Sequence, residues 1–256
     1  MSRLREAFEH RDRAALVAYL TFGDPAPSES IDVIEHACRS GADVLELGVA
    51  FSDPSADGPS IQRAMERALA AGATLAGALD AVAELRRRGV ATPIVLFGYY
   101  NPIFVMGVER FAERAAQAGV DAVLTVDLPI DELGELAAPL AKHGVSVIPL
   151  VAPTSTPARI ARLAEFLPPF VYYISLVGVT GASARGAIDP ARLDAIRRAA
   201  AAPVAVGFGI RTADDVRRFV AAGADGVVVG TALVERVADG GVAQLVAQLA
   251  AGLGKS

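Results

Sequence analysis

The feature that most constrains this chain is an alternation of short β-rich runs with longer runs of helical period, repeated along its whole length. The β-rich runs fall at Leu16–Thr21, Val44–Leu47, Ile94–Phe97, Ala122–Thr125, Ser146–Pro149, Val171–Ser175, Val204–Val206 and Gly226–Val229. Helical patterns lie between them at Ser28–Arg39, Thr74–Arg88, Val108–Ala118, Glu132–His143, Pro157–Phe166, Pro190–Ala200, Thr212–Ala222 and Val242–Leu249. Such alternation is the mark of parallel βαβ units. Extra helices are expected at the N-terminus (Ser2–His10), after the second strand (Ser60–Ala71) and after the eighth. An internal echo supports the count: Ser40-Gly41-Ala42-Asp43, Ala118-Gly119-Val120-Asp121 and Ala222-Gly223-Ala224-Asp225 each close a helix and open a strand. Glycine supplies the left-handed turn that ends the helix, and the apolar run then enters the sheet. Eight repeats in 256 residues match one (β/α)8 barrel of the TIM type, so residues 1–256 are read as a single barrel domain. An open doubly wound sheet is the rival. Its glycine-rich dinucleotide turn after strand one is absent, since that turn reads Thr21-Phe22-Gly23-Asp24-Pro25.

Composition narrows the function. A net charge of −5, with arginines scattered over predicted helices, argues against nucleic-acid binding. The single cysteine, Cys38, rules out a disulfide framework and a cysteine-rich metal site. No apolar run reaches membrane-spanning length and the N-terminus lacks a signal-peptide pattern, so a soluble cytoplasmic protein is expected.

In a barrel of this kind the C-terminal ends of the strands form the active-site face. Acids collect on one side of it: Glu46 in strand two, then Asp53 and Asp57 in a proline-broken loop. Glu46 sits between Leu45 and Leu47, and a buried unpaired carboxylate is costly without a task. Asp53, wedged before Pro54, reads as a turn residue. Asp127 after strand four either positions substrate or caps the helix that follows. Glycines collect on the other side, in Val206-Gly207-Phe208-Gly209 and Val229-Gly230-Thr231 after strands seven and eight, where many barrels hold phosphate with backbone N–H groups. The only lysines, Lys142 and Lys255, fall away from this face, which excludes Schiff-base chemistry. His10, His36 and His143 lie on helices or at helix ends without metal-ligand spacing. A phosphorylated substrate handled by carboxylates, hydroxyls and backbone alone, with no metal, is the reading of the residues.

Leu45-Glu46-Leu47-Gly48-Val49-Ala50-Phe51-Ser52-Asp53-Pro54-Ser55-Ala56-Asp57-Gly58-Pro59 closely resembles the signature of the tryptophan synthase alpha chain family. The resemblance continues in order through Tyr19-Leu20-Thr21-Phe22-Gly23, Gly98-Tyr99-Tyr100-Asn101-Pro102, Asp127-Leu128-Pro129, Tyr172-Tyr173-Ile174, Gly178-Val179-Thr180-Gly181, Gly207-Phe208-Gly209 and Gly230-Thr231. It implies retro-aldol cleavage of indole-3-glycerol phosphate to indole and glyceraldehyde 3-phosphate. Glu46 would be the proton shuttle and Asp57 the stabiliser of charge at the indole nitrogen. Tyr172 and Thr180 match positions that organise the acids, with Gly181 beside Thr180 on a closing loop (residues 178–187). Tyr19, Leu96 and Phe208 are expected as walls of the indole site; Asp127, Gly209, Gly230 and Thr231 complete the substrate contacts. The resemblance also implies a β subunit that carries pyridoxal phosphate, joined in an αββα heterotetramer, with no cofactor in this chain. Two residues depart from the family pattern: Ala50 replaces a usual proline and Ser55 a large apolar residue. A standalone lyase, a weakly active chain that mainly activates a β subunit, and a different phosphosugar enzyme are the alternatives.

Overall fold

Most strand runs are apolar throughout rather than alternating, as expected where both faces of a sheet are covered. The computed structural model describes residues 2–9, 13–174, 189–207 and 209–253. Its strands are β1 (Ala15–Thr21), β2 (Val44–Gly48), β3 (Ile94–Gly98), β4 (Ala122–Thr125), β5 (Ser146–Val147), β6 (Leu150–Val151), β7 (Val171–Ile174), β8 (Val204–Gly207) and β9 (Gly226–Val229). They form one parallel sheet in the order β5-β4-β3-β2-β1-β9-β8-β7-β6. Its two edges, β5 and β6, are the two ends of one stretch, residues 146–151, so the sheet closes on itself as a barrel. The fifth barrel strand, expected as one run at Ser146–Pro149, is thus broken. Pro149 has no N–H to give to a ladder, yet its carbonyl still accepts from Tyr172 N–H at 3.0 Å.

The helices are α1 (Arg3–Glu9), α2 (Pro27–Arg39), α3 (Pro59–Ala70), α4 (Leu75–Arg87), α5 (Tyr100–Met106), α6 (Val108–Ala118), α7 (Leu133–Lys142), α8 (Pro157–Arg162), α9 (Pro190–Ala200), α10 (Ala213–Ala221), α11 (Thr231–Glu235) and α12 (Val242–Ala250). The helix expected to run to Phe166 tightens into a 3₁₀ turn at Leu163–Phe166. Helix α5 was not expected. Its first turn holds Pro102, and proline there costs little because its missing N–H has no partner in a first helical turn anyway.

Side chains sort into two cores. One lies between sheet and helices and includes Leu45, Leu47, Leu96 and Phe111. The other fills the barrel and includes Val17, Tyr19, Val44, Val95, Phe97, Leu124, Ile148 and Val228. Helix α1 plugs the barrel floor with Leu4 and Ala7, and Phe8 stacks on Phe170 at 4.7 Å. The floor explains the repeated motif. Gly41, Gly119 and Gly223 all take positive φ, as their position after a helix requires. Each following aspartate reaches back to an N–H at the start of the neighbouring strand and to an arginine. Asp43 takes Leu16 N–H and Arg13, Asp121 takes Ile94 N–H and Arg86, and Asp225 takes Val204 N–H and Arg197. Asp121 also holds Arg3 of α1 at 3.1 Å, tying the plug to the barrel.

Candidate active site

The alternation of β2 turns Glu46 into the barrel, in register with Tyr19 of β1 and Val95 of β3. The residue is fully buried and neither carboxylate oxygen has a hydrogen-bond partner. Burial alone pushes its pKa up to about 8, so the acid is mostly protonated at neutral pH. Around it stand three aromatic rings. Tyr19 meets Phe97 edge-on at 5.2 Å, and Phe97 lies 6.4 Å from Tyr172. Each tyrosine leans over a glycine: a Cβ on Gly48 would fall 2.3 Å from the Tyr19 hydroxyl, and one on Gly207 would fall 2.1 Å from that of Tyr172. Glycine at these strand ends is therefore a packing requirement. Burial raises both tyrosine pKa values, and the charges of Asp57 and Glu46 raise them further.

Asp57 arrives from the loop between β2 and α3. Tyr99, just past β3, donates its hydroxyl to Asp57 Oδ2 at 2.7 Å and accepts Ala56 N–H at 3.0 Å. Burial raises the Asp57 pKa, while the Tyr99 hydrogen bond pulls it back down. Phe51 stacks on the Tyr99 ring at 4.8 Å. The site thus pairs a buried protonated acid with a second carboxyl whose charged form a phenol supports, an arrangement suited to proton transfer beside a stabilised cation.

Gly209 takes a φ of +65°, and Gly230 precedes the first turn of α11, which opens with Thr231. A Cβ on Gly230 would lie 3.5 Å from both Tyr19 and Ile61, so this turn abuts the aromatic wall. Phe208, Thr180 and Gly181, with the rest of residues 178–187, lie outside the described residues.

Two expectations change. Leu96 belongs to the outer core, facing helices; the β3 side chains inside the barrel are its neighbours Val95 and Phe97. Asp127 does not cap the helix after it. Its exposed carboxylate accepts Tyr100 N–H at 2.8 Å and so caps α5, across the strand-end loops. A cavity of about 340 Å³ opens beside Asp127 and shares Val126 and Leu150 with the barrel interior, but neither acid lines it. The Asp53 carboxylate accepts the Ser52 hydroxyl at 2.6 Å and its carbonyl accepts Ser55 N–H at 2.8 Å, both within its own loop, as a turn residue's do. Sequence reasoning placed Tyr99 in a strand-end motif without giving it a role, and missed Phe97 and Gln62, whose amide donates to the Asp57 carbonyl at 2.9 Å.

Residues 6–253 match the family model described as tryptophan synthase alpha chain. The chain belongs to the tryptophan synthase alpha chain family. Relatives of that name from Nitrosococcus oceani and Geobacter sulfurreducens are 49% and 52% identical over 93% and 92% of this chain, covering 89% and 90% of their own lengths. Among solved structures, Mycobacterium tuberculosis tryptophan synthase superposes with a TM-score of 0.90 at 36% identity, covering 99% of this chain and 97% of that one. The tryptophan synthase alpha chain of Legionella pneumophila gives 0.88 at 34% identity, covering 98% and 97%. The fold is therefore the barrel of that family, and the chain is a lyase of the tryptophan synthase type, in tryptophan biosynthesis. An alpha chain implies a β partner. Among the described residues no single helix is long and apolar enough to cross a membrane, and no group of His, Cys, Asp and Glu is placed to hold a metal ion.

Proposed function

We propose that this chain cleaves indole-3-glycerol phosphate to indole and glyceraldehyde 3-phosphate, with Glu46 and Asp57 as its catalytic acids. The observation that carries this reading is the Glu46 carboxyl, buried, unpartnered and held protonated near neutrality. Glu46 gives its proton to indole C3, which leaves positive charge on the ring nitrogen. Asp57 accepts the indole N–H and offsets that charge, with Tyr99 occupying its other oxygen. Glu46, now a carboxylate, takes the proton from the glycerol hydroxyl next to the ring. The C3–carbon bond breaks, its electron pair returns to the ring, and an aldehyde leaves; the acid ends protonated, as it began. Backbone N–H groups at Gly209, Gly230 and Thr231, with the Thr231 hydroxyl, hold the phosphate, because the first turn of a helix offers N–H groups without intrahelical partners. Tyr19, Phe97 and Tyr172 wall the indole; Thr180, Gly181 and Phe208, expected from the family resemblance as further contacts, fall outside the described residues.

Indole then passes to a β subunit in an αββα complex; pyridoxal phosphate belongs to that partner and not to this chain. The surface of α5 supports this: Phe104 is 66% and Val105 77% exposed on the helix that follows β3, at the rim of the active-site face. Apolar side chains left in water beside a site mark a docking surface. A cytoplasmic location follows from the same reading.

Replacing Asp57 by Asn tests the assignment. It should keep affinity for glyceraldehyde 3-phosphate while lowering turnover by about two powers of ten or more, as loss of transition-state charge stabilisation does. Unchanged turnover would remove Asp57 from the mechanism.

A further inference from the structure

Among the described residues, side-chain hydrogen bonds reach the Asp57 loop (residues 51–58) from two residues outside it. Tyr99 holds the carboxylate and Ala56 N–H. Gln62 holds the backbone: its amide nitrogen donates to the Asp57 carbonyl at 2.9 Å and to the Pro54 carbonyl at 3.3 Å. The Pro54 carbonyl also accepts Asp57 N–H at 3.0 Å, which closes the turn that presents the acid. Gln62 thus bridges both ends of that turn from one side, while Tyr99 fixes the side chain from the other.

The helix that carries Gln62 is a firm base for the bridge. Ala64, Met65 and Ala68 of α3 are buried in the core. Arg67, farther along, clasps the buried Asp24 of the β1 loop through two bonds of 2.8 Å. Ser60 in its first turn bonds Glu235 of α11 at 2.8 Å. Pro54 and the turn it opens stiffen the middle of the loop, but not its entry or its crest. Ala50, at its entry, lacks the proline ring that fixes φ, and Ser55 at its crest is exposed and anchors nothing apolar. A carboxylate on such a loop is placed by what grips the loop.

We infer that Gln62 is a positioning residue for the lyase reaction: by gripping the Pro54 and Asp57 carbonyls it sets where the Asp57 carboxylate meets the indole N–H. The inference rests on the assignment of Asp57 above. Gln62 touches no reacting atom and acts only through Asp57.

The test is indole release from indole-3-glycerol phosphate, with the β subunit from the same organism present, for Gln62→Leu, Gln62→Glu, Asp57→Asn and the double variant Asp57→Asn/Gln62→Leu. Two half-buried hydrogen bonds lost in Gln62→Leu should lower kcat about tenfold. KM and glyceraldehyde 3-phosphate affinity, set on the glycine side, should move less than about threefold. Gln62→Glu keeps the shape but turns two carbonyl oxygens toward a carboxylate, so it should be slower than Gln62→Leu. The double variant should be no slower than Asp57→Asn alone, since effects of residues acting as one unit do not multiply. Wild-type kcat in Gln62→Glu would show a space-filling role, and multiplied losses in the double variant would show action elsewhere; either overturns the inference. An Asp57→Asn variant with full turnover would instead remove the assignment beneath it, so the two failures are distinct.

Discussion

Replacing Glu46 by Gln should stabilise the folded protein, and by an amount that grows with pH. The wild-type carboxyl is fully buried with a pKa near 8, against 4.5 for the free group. Its folded pKa is raised, so the unfolded chain releases this proton first. The stability contribution of the neutral acid is complete below about pH 4.5 and is lost as pH rises through about 8. At about pH 5 the cost of keeping the carboxyl protonated in the fold is about 1 kcal/mol, and at about pH 7 it is about 3 kcal/mol. Glutamine has nearly the same shape and does not titrate, so the difference between variant and wild type isolates this one group. Urea unfolding of both proteins at three pH values between about 5 and 8.5 reads it directly, with midpoints converted through a common m value. The variant's advantage should rise by about 2 kcal/mol from about pH 5 to about pH 7. A difference that stays flat over that range would mean that Glu46 ionises normally in the fold, and the argument from its burial would fail.

Other perturbations follow from the same geometry. Tyr99→Phe keeps the stack on Phe51 but removes the hydroxyl that favours charged Asp57. The Asp57 pKa should rise, so the acid limb of the kcat–pH profile moves to higher pH and turnover falls about tenfold. An unshifted limb would separate Tyr99 from Asp57. Asp121→Ala leaves Arg86, whose side chain is 15% exposed, without its carboxylate, and strands the Ile94 N–H. Thermal or urea unfolding should report a loss of about 3 kcal/mol, as breaking a buried ion pair does, while turnover per folded molecule stays the same because the change lies at the opposite end of the barrel.

The strands were legible as short apolar runs, four of them closed by a glycine (Gly48, Gly98, Gly207 and Gly230) and three opened by a repeated Gly-x-Asp, and the acids were legible because carboxylates at strand ends have few structural excuses. Facing was not legible where both sides of a strand are apolar. Ile94-Val95-Leu96-Phe97 offers no alternation, so Leu96 and Phe97 are indistinguishable until the strand is placed in the barrel. The break at Pro149 was hidden in a run whose apolar pattern continues through it. Contacts across loops left no local trace either. Asp127 caps a helix from the preceding unit, and Tyr99, just past β3, reaches Asp57 from the next strand, over distances in sequence that periodicity cannot span; Gln62 is only five residues past Asp57, but the fold-back of its amide onto the loop carbonyls is not written in a helical pattern. The repeated aspartates were visible as a pattern, but their task, to hold an N–H at the start of a neighbouring strand and an arginine, needed the barrel to bring those groups together.

The most direct test of the central claim is indole release from indole-3-glycerol phosphate by the purified chain, alone and with the β subunit of the same organism, for wild type and Glu46→Gln. The account predicts slow release by the wild-type chain alone, strong acceleration by the partner, and almost none from Glu46→Gln although it still binds glyceraldehyde 3-phosphate. Wild-type turnover by Glu46→Gln, or no release by the wild-type chain under either condition, would contradict it.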